Sequence, residues 1–535
     1  MPTSSTDFSS PVAEGGTVFG ENGQTAHDAA MGRWTWEERF FWICLCALNL
    51  IPLWVTKYFP SQNGPWFLLP THMFREYDNP KFNYSQIYVR NWHPIPHMLH
   101  DALVGLATSV FPILISEKLM LSLYVALLPI SVFYFLAVFA PGRHWLGYLS
   151  FLLVISYPFM RGYHDFTLSI PLYFITLAYW FPRRDRLNYA NIAVLATLGV
   201  LVYLSHLMVF ALLAGSVGWL CLFEDGRWIR AIKSALTVTW AGWLMFFDYS
   251  IQSRNARWVD RADTSWNKFT TNVSAIVGEY LYSVSELGAG LAFAGLVWGV
   301  VWVCLRRRAV PPQDVPGLRG VLLQPLSTLM YFFIAAYFVA PYKVIGWHKA
   351  NMRLLPLIYI IGITIASQLL PSTTTRKWRL ALLIPTFVSL LGTNVILTSE
   401  IQRMSGTVEA FASGLEHVGE NPKLLRVLVD NPAFGGIRPL SRAQDYYHIA
   451  KGGANGQSLP ALGGLTVMYF RHYPVSDEFP DYNPEATDED SLRVLGMYEY
   501  VLVWGDNEKL TDQLERASFD RIHERDQFRL YRKRS

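Results

Sequence analysis

Charge is scarce in this chain. Asp, Glu, Lys and Arg make up 16% of its 535 residues, where a soluble domain carries roughly 25%. Cysteine is scarcer: Cys44, Cys46, Cys221 and Cys304 are all there is. Each lies inside an apolar segment, which gives no disulfide framework and no zinc site; all four read as small buried hydrophobes. A basic excess is missing too. A formal net charge of +4 over this length leaves no electrostatic footprint for nucleic acid. The first residues do not pair a basic region with an apolar one, so no cleaved signal peptide is expected.

What replaces charge is hydrophobicity, 52% of all residues, with 15% aromatic. It is arranged in many long apolar runs, the pattern of an α-helical polytopic membrane protein. Residues 1–35, rich in Ser, Thr, Gly and Pro, form an expected disordered cytoplasmic tail. A first span, about Phe40 to Tyr58, follows Arg33 and Arg39 and so starts on the cytoplasmic side. Further spans are expected at 119–139, 146–159, 166–181, 235–251, 287–305, 326–340, 354–370 and 380–397. The apolar run from Ala190 to Phe223 would extend roughly 50 Å as one helix, too long for a core about 30 Å thick. It therefore divides into two spans at Ser205 and His206. The total is about eleven transmembrane helices within residues 36–400. Within residues 36–400 every cluster of adjacent basic residues, such as Arg306 to Arg308, then falls on the cytoplasmic side, as the orientation bias requires.

Between the first two spans lies a large outer loop, residues 58–117. Its last part, 97–116, is apolar but holds Asp101 and Pro112. The charge bias places it in the membrane interface rather than across it. After residue 400 the composition becomes that of an ordinary soluble protein, and 401–535 reads as an extracytoplasmic α/β domain. Tyr500 to Trp504 has the pattern of a buried strand, a helix follows to about Ala517, and Phe528 to Tyr531 alternates like a final strand.

The ionisable residues gather at the outer ends of the spans, where such groups face a polar cavity or mark the interface. From the first loop come Asn63, His72, Glu76 and Asp78; from the second, Arg161, His164 and Asp165; from the third, His206. The fifth supplies His348, Lys349 and Arg353. If 347–353 is helical, Lys349 and Arg353 share one side and suit a lipid-linked phosphate, Arg as a planar fork and Lys as a point charge. Interfacial anchoring is the other reading of this pair. Asp165 is placed to take a proton from a hydroxyl, or else it pairs with Arg161 or caps the following helix. His206 lines the cavity or is a hydrogen-bonded core histidine. His93, His97 and His100 are too loosely spaced around Pro94 and Pro96 for a metal set.

This layout resembles the GT-C superfamily of membrane glycosyltransferases that use polyprenyl-phosphate-linked sugars, in particular a group of bacterial proteins. The stretches that carry the resemblance are Asn63-Gly64-Pro65, the run Gly162 to Phe166, Ser205-His206, Asn351 to Arg353, and Tyr498 to Val503. The resemblance implies transfer of a sugar from a polyprenyl-phosphate donor to an extracytoplasmic glycan or lipid-linked acceptor, in a bacterial inner membrane. His348, Lys349 and Arg353 would hold the donor phosphate. Where the family carries an Asp in the first loop, this chain has Asn63, which cannot accept a proton at neutral pH. The carboxylate role would then fall to Asp165, Asp78 or Glu76. The competing readings are a non-catalytic lipid-glycan-binding or scaffold subunit of an envelope assembly, and a transporter of a lipid-linked solute.

Overall fold

The computed structural model describes residues 36–253, 264–311, 317–344, 347–371, 374–458, 460, 466–471 and 478–534; the tail expected over 1–35 lies outside them. Helices dominate the first three quarters of the chain. Helix α1 (Trp36–Trp54) is followed by the loop segment with the short helices α2 (Gly64–Arg75) and α3 (Met98–Ala107), a single helical turn at Tyr84–Ile87 lying between them. Helix α4 (Ile113–Phe139) then enters the bundle. At ten residues α3 is about 15 Å long, too short to cross a bilayer; Thr108 to Pro112 separate it from α4, which begins at Ile113. Among the described residues, four helices are long and apolar enough to span a membrane: α4, Leu207–Glu224, Glu286–Arg308 and Arg376–His417. The remaining expected spans correspond to further helical segments, several of them shorter, such as Tyr189–Ser205 and Leu355–Gln368.

One expected span is built differently. Residues 146–159 are not an α-helix: His144–Leu153 is 3₁₀ and a short helix, Tyr157–Met160, follows. Every residue from Trp145 to Met160 is buried, so protein surrounds the segment on all sides and its hydrophobic pattern carries no helical period. The break at His206 is where the sequence places it. One helix ends at Ser205, His206 is extended at φ −160°, and the next helix begins at Leu207. Burial of the cysteines holds for Cys46 and Cys221, is partial for Cys44, and fails for Cys304, which lies exposed on the apolar Glu286–Arg308 helix.

The last long helix, Arg376–Ala412, has 37 residues, about 55 Å, and runs past position 400 without a break. The C-terminal sheet has the order β4–β6–β8–β7. Here β4 (Leu424–Leu428) is parallel to β6 (Tyr500–Trp504), and β8 (Phe528–Lys533) is antiparallel to both β6 and β7 (Phe519–Arg525). Strand β6 is buried throughout because both faces are covered. Val501 and Val503 pack against Leu510 and Leu514 of the domain's own helix, while Leu502 and Trp504 join the core shared with the bundle. The loop is fastened to this domain: β1 (Tyr88–Arg90) pairs with β5 (Met468–Phe470), and the Tyr84 hydroxyl donates to the His448 carbonyl at 2.7 Å.

Candidate functional site

Two of the sequence motifs meet at the loop end of the bundle. The backbone N–H groups of Gln62 and Asn63 donate to the carbonyls of Met160 and Arg161 at 3.0 and 3.2 Å. Gly162, at φ +79°, lies so close that a Cβ there would sit 2.9 Å from the amide nitrogens of both Asn63 and Gly64. Only glycine accepts that conformation and that approach. Asn63 precedes α2, with Pro65 in the first turn, and makes no side-chain cap.

Behind this contact Asp165 opens a helix, His164–Trp180 (α5). It is buried, and neither carboxylate oxygen has a hydrogen-bond partner. The Nδ1 of His97 lies 3.9 Å from one of its oxygens. His97 caps α3 in the left-handed region, φ +74°, a conformation costing about 1–2 kcal/mol, which aims its ring into the cluster. Burial, and next the Arg353 charge, lower the His97 pKa to about 3, so the ring is neutral at pH 7. It stands perpendicular to the His206 ring at 4.7 Å. The Nη1 of Arg353 donates to Nε2 of His206 at 2.5 Å, and the guanidinium covers Tyr163 and Phe166 at 5.1 and 5.6 Å. A carboxylate, two imidazoles and a guanidinium from four separate segments thus stand in sequence.

Other expected residues go elsewhere. Arg161 does not pair with Asp165; its Nη1 donates to Gln62 Oε1 at 2.5 Å. His164 is buried beside His100, ring centroids 5.3 Å apart. The segment 347–353 is not the helix that would put Lys349 and Arg353 on one side. Trp347–His348 (β3) pairs with Lys343–Val344 (β2), Lys349 turns at φ +58°, and Asn351–Leu354 is 3₁₀. Lys349 consequently covers Tyr157 at 4.0 Å while Arg353 turns inward. The side chain of His348 lies outside the described residues. Asp78 is largely exposed and pairs with Arg90 at 3.1 Å; Glu76 accepts from Asn79 at 2.8 Å. Neither has a cluster residue among its recorded partners. His72 faces the C-terminal domain through Tyr84, at 3.1 Å.

Glu117 and His97 are the residues that sequence reasoning passed over. Glu117, in the first turns of α4, is fully buried with both oxygens unpartnered. A Cβ on Gly64 would lie 2.7 Å from its Oε1, so the carboxylate stands directly against the Asn63-Gly64 turn. The signal was an acid at the head of an apolar run, where ionisable residues are functional by default. His97 was legible only as a histidine between prolines. Beside Glu117, Lys118 donates to the Thr56 carbonyl. It also lines a cavity of about 500 Å³ with Lys57, Tyr58, Ile113 and Tyr446. No three His, Cys, Asp or Glu among the described residues form a metal-ligand group.

Two crystal structures of ArnT from Cupriavidus metallidurans match this architecture. The apo state superposes with a TM-score of 0.53 and 11% identity, covering 91% of this chain and 97% of that one. The structure bound to undecaprenyl phosphate gives 0.52 and 12%, covering 92% and 97%. The chain therefore shares the overall fold of these two structures. No family model matches it, and no curated protein does.

Proposed function

We propose that the protein is a membrane glycosyltransferase that moves a sugar from a polyprenyl-phosphate donor to an acceptor glycan or lipid at the outer membrane face. The observation that carries this reading is the buried series Asp165, His97, His206, Arg353, set in a fold like that of an ArnT seen with undecaprenyl phosphate. Arg353, oriented by His206, binds the donor phosphate and stabilises the charge that grows on it as the sugar leaves. Lys349 adds a second, more distant cation. Asp165 takes the proton from the acceptor hydroxyl, with the neutral His97 ring beside it. Glu117 is the second candidate for that base. It supplies beside Asn63 the carboxylate that position 63 lacks. The apolar cavity beside Lys118 is suited to the donor's isoprenoid chain.

The test is turnover by purified protein with a panel of polyprenyl-phosphate sugars and varied acceptors. Release of polyprenyl phosphate is the expected result. Tight lipid binding with no release from any donor would overturn the transferase and support the non-catalytic binding subunit.

A further inference from the structure

The rim of the site is shared with the C-terminal domain, and what that domain contributes there is arginine. Gln62 Oε1 accepts from the Arg161 guanidinium at 2.5 Å and from the Arg438 backbone N–H at 3.0 Å. That one amide pins the turn before Arg438 onto the loop beside Asn63. Four residues on, Arg442 lays its guanidinium over Trp66, in the first turn of α2, at 4.4 Å. Arg438 is exposed, while Arg161, Trp66 and Arg442 are half-buried, so the group forms a partly open strip leading to Asn63.

Two features of this strip point to a ligand. Its unsatisfied polar atoms are donors: the Nε of Arg161 and the indole Nε1 of Trp66 are buried and have no acceptor. Buried donors without partners cost free energy that a bound acceptor recovers. Secondly, the Arg161 charge acts on Arg442, and the side chain that Arg161 donates to is a neutral glutamine, not a carboxylate, while Arg442 Nη1 donates to the Gln457 carbonyl at 2.9 Å. The burial of Arg442 lowers its pKa, Asp445 and Asp481 raise it, and Arg161 lowers it again. Asp481 is itself engaged by Gln457, and Asp445 is engaged through Oδ1 by Asn455 at 2.5 Å, its Oδ2 having no hydrogen-bond partner. Like charges held together with spare donors fit an oxyanion, which accepts bidentate bonds from guanidinium.

We propose that Arg161, Arg438 and Arg442, with Trp66 as platform, form a binding subsite for an acidic sugar, one bearing a phosphate or carboxylate group. Its place beside Asn63 makes that sugar part of the acceptor, which rests on the transferase reading above. The subsite exists only when the C-terminal domain is seated on the loop, so that domain selects the acceptor.

The experiment measures binding to the full-length protein in nanodiscs. The probes are glucose 6-phosphate, glucuronate, neutral glucose and undecaprenyl phosphate, against wild type, Arg438→Gln, and the double variant Arg438→Gln/Arg442→Gln. Wild type should bind the two acidic sugars about tenfold or more tighter than glucose, with an affinity that falls as salt rises. The double variant should lose that preference, the exposed Arg438→Gln variant should lose part of it, and both should bind undecaprenyl phosphate as wild type does. An acidic-sugar preference that survives both variants would overturn the proposal. So would no preference in wild type, or a loss of undecaprenyl phosphate binding in place of sugar binding, which would give the arginines to the donor. Failure of wild type to bind undecaprenyl phosphate would count against the transferase reading alone, since the sugar probes still decide the subsite.

Discussion

Gly162 rests against the backbone of Asn63, with no room between them for a methyl group. Two stretches separated by about a hundred residues are thereby held as one surface. Gly162→Ala adds both a steric clash and an unfavourable positive φ, at a cost of about 2 kcal/mol or more. The expected outcome is a lowered thermal unfolding temperature and a larger loss of turnover, since the strip 62–64 must move to admit the methyl. Unchanged stability and turnover would show that the two stretches are not pressed together.

Glu117→Gln keeps the shape of the side chain and removes its ability to take a proton. If Glu117 acts as the base in place of a first-loop acid, turnover falls by about 10² or more. Stability stays level or rises, because no charge then needs to be buried. Turnover within twofold of wild type would leave Asp165 as the base.

Stability should depend on pH through buried groups of the loop and the C-terminal domain. Burial lowers the pKa of His72 to about 4, against the pull of Glu76, and that of His448 to about 4, against its bond to the Gly452 carbonyl; His97 goes to about 3. All three lie below the unfolded value near 6.5. Their contribution is complete above that value and is lost as pH falls through the folded pKa values. Asp445 runs the other way. Burial raises it to about 7 despite Arg442 and Arg426, so its contribution is complete below about 4 and lost as pH rises through 7. With three groups against one, the unfolding temperature should drop between pH 6.5 and pH 4. His448→Gln should flatten that drop, and Asp445→Asn should steepen it. A flat profile in wild type would contradict the burial of these histidines.

The sequence made the membrane class, the break at His206 and the strand at Tyr500–Trp504 legible, because each depends on local hydrophobicity or length. It also marked Asn63, the run from Gly162, His206 and Arg353 as residues to watch. It could not show that they converge, since α3, α4 and the C-terminal domain are brought together by packing between distant segments. The helix drawn through 347–353 failed because a short hairpin, fixed by pairing at Lys343 and His348, overrides local spacing. His144–Leu153 misled for a different reason: buried on every side, it has no polar face to set a period. The contact of Arg442 with Trp66 was invisible, since nothing in its neighbourhood along the chain announces it.

The central claim is that one buried series joins a donor-phosphate end at Arg353 to a proton-accepting end at Asp165. Its most direct test is a paired measurement on Arg353→Ala and Asp165→Asn: the dissociation constant for undecaprenyl phosphate, and the rate of its release from a turned-over donor. The account predicts that Arg353→Ala weakens lipid phosphate binding by about tenfold or more. Asp165→Asn should bind as wild type does and turn over about 10² times more slowly. Full turnover in Asp165→Asn, or unchanged phosphate binding in Arg353→Ala, would contradict it.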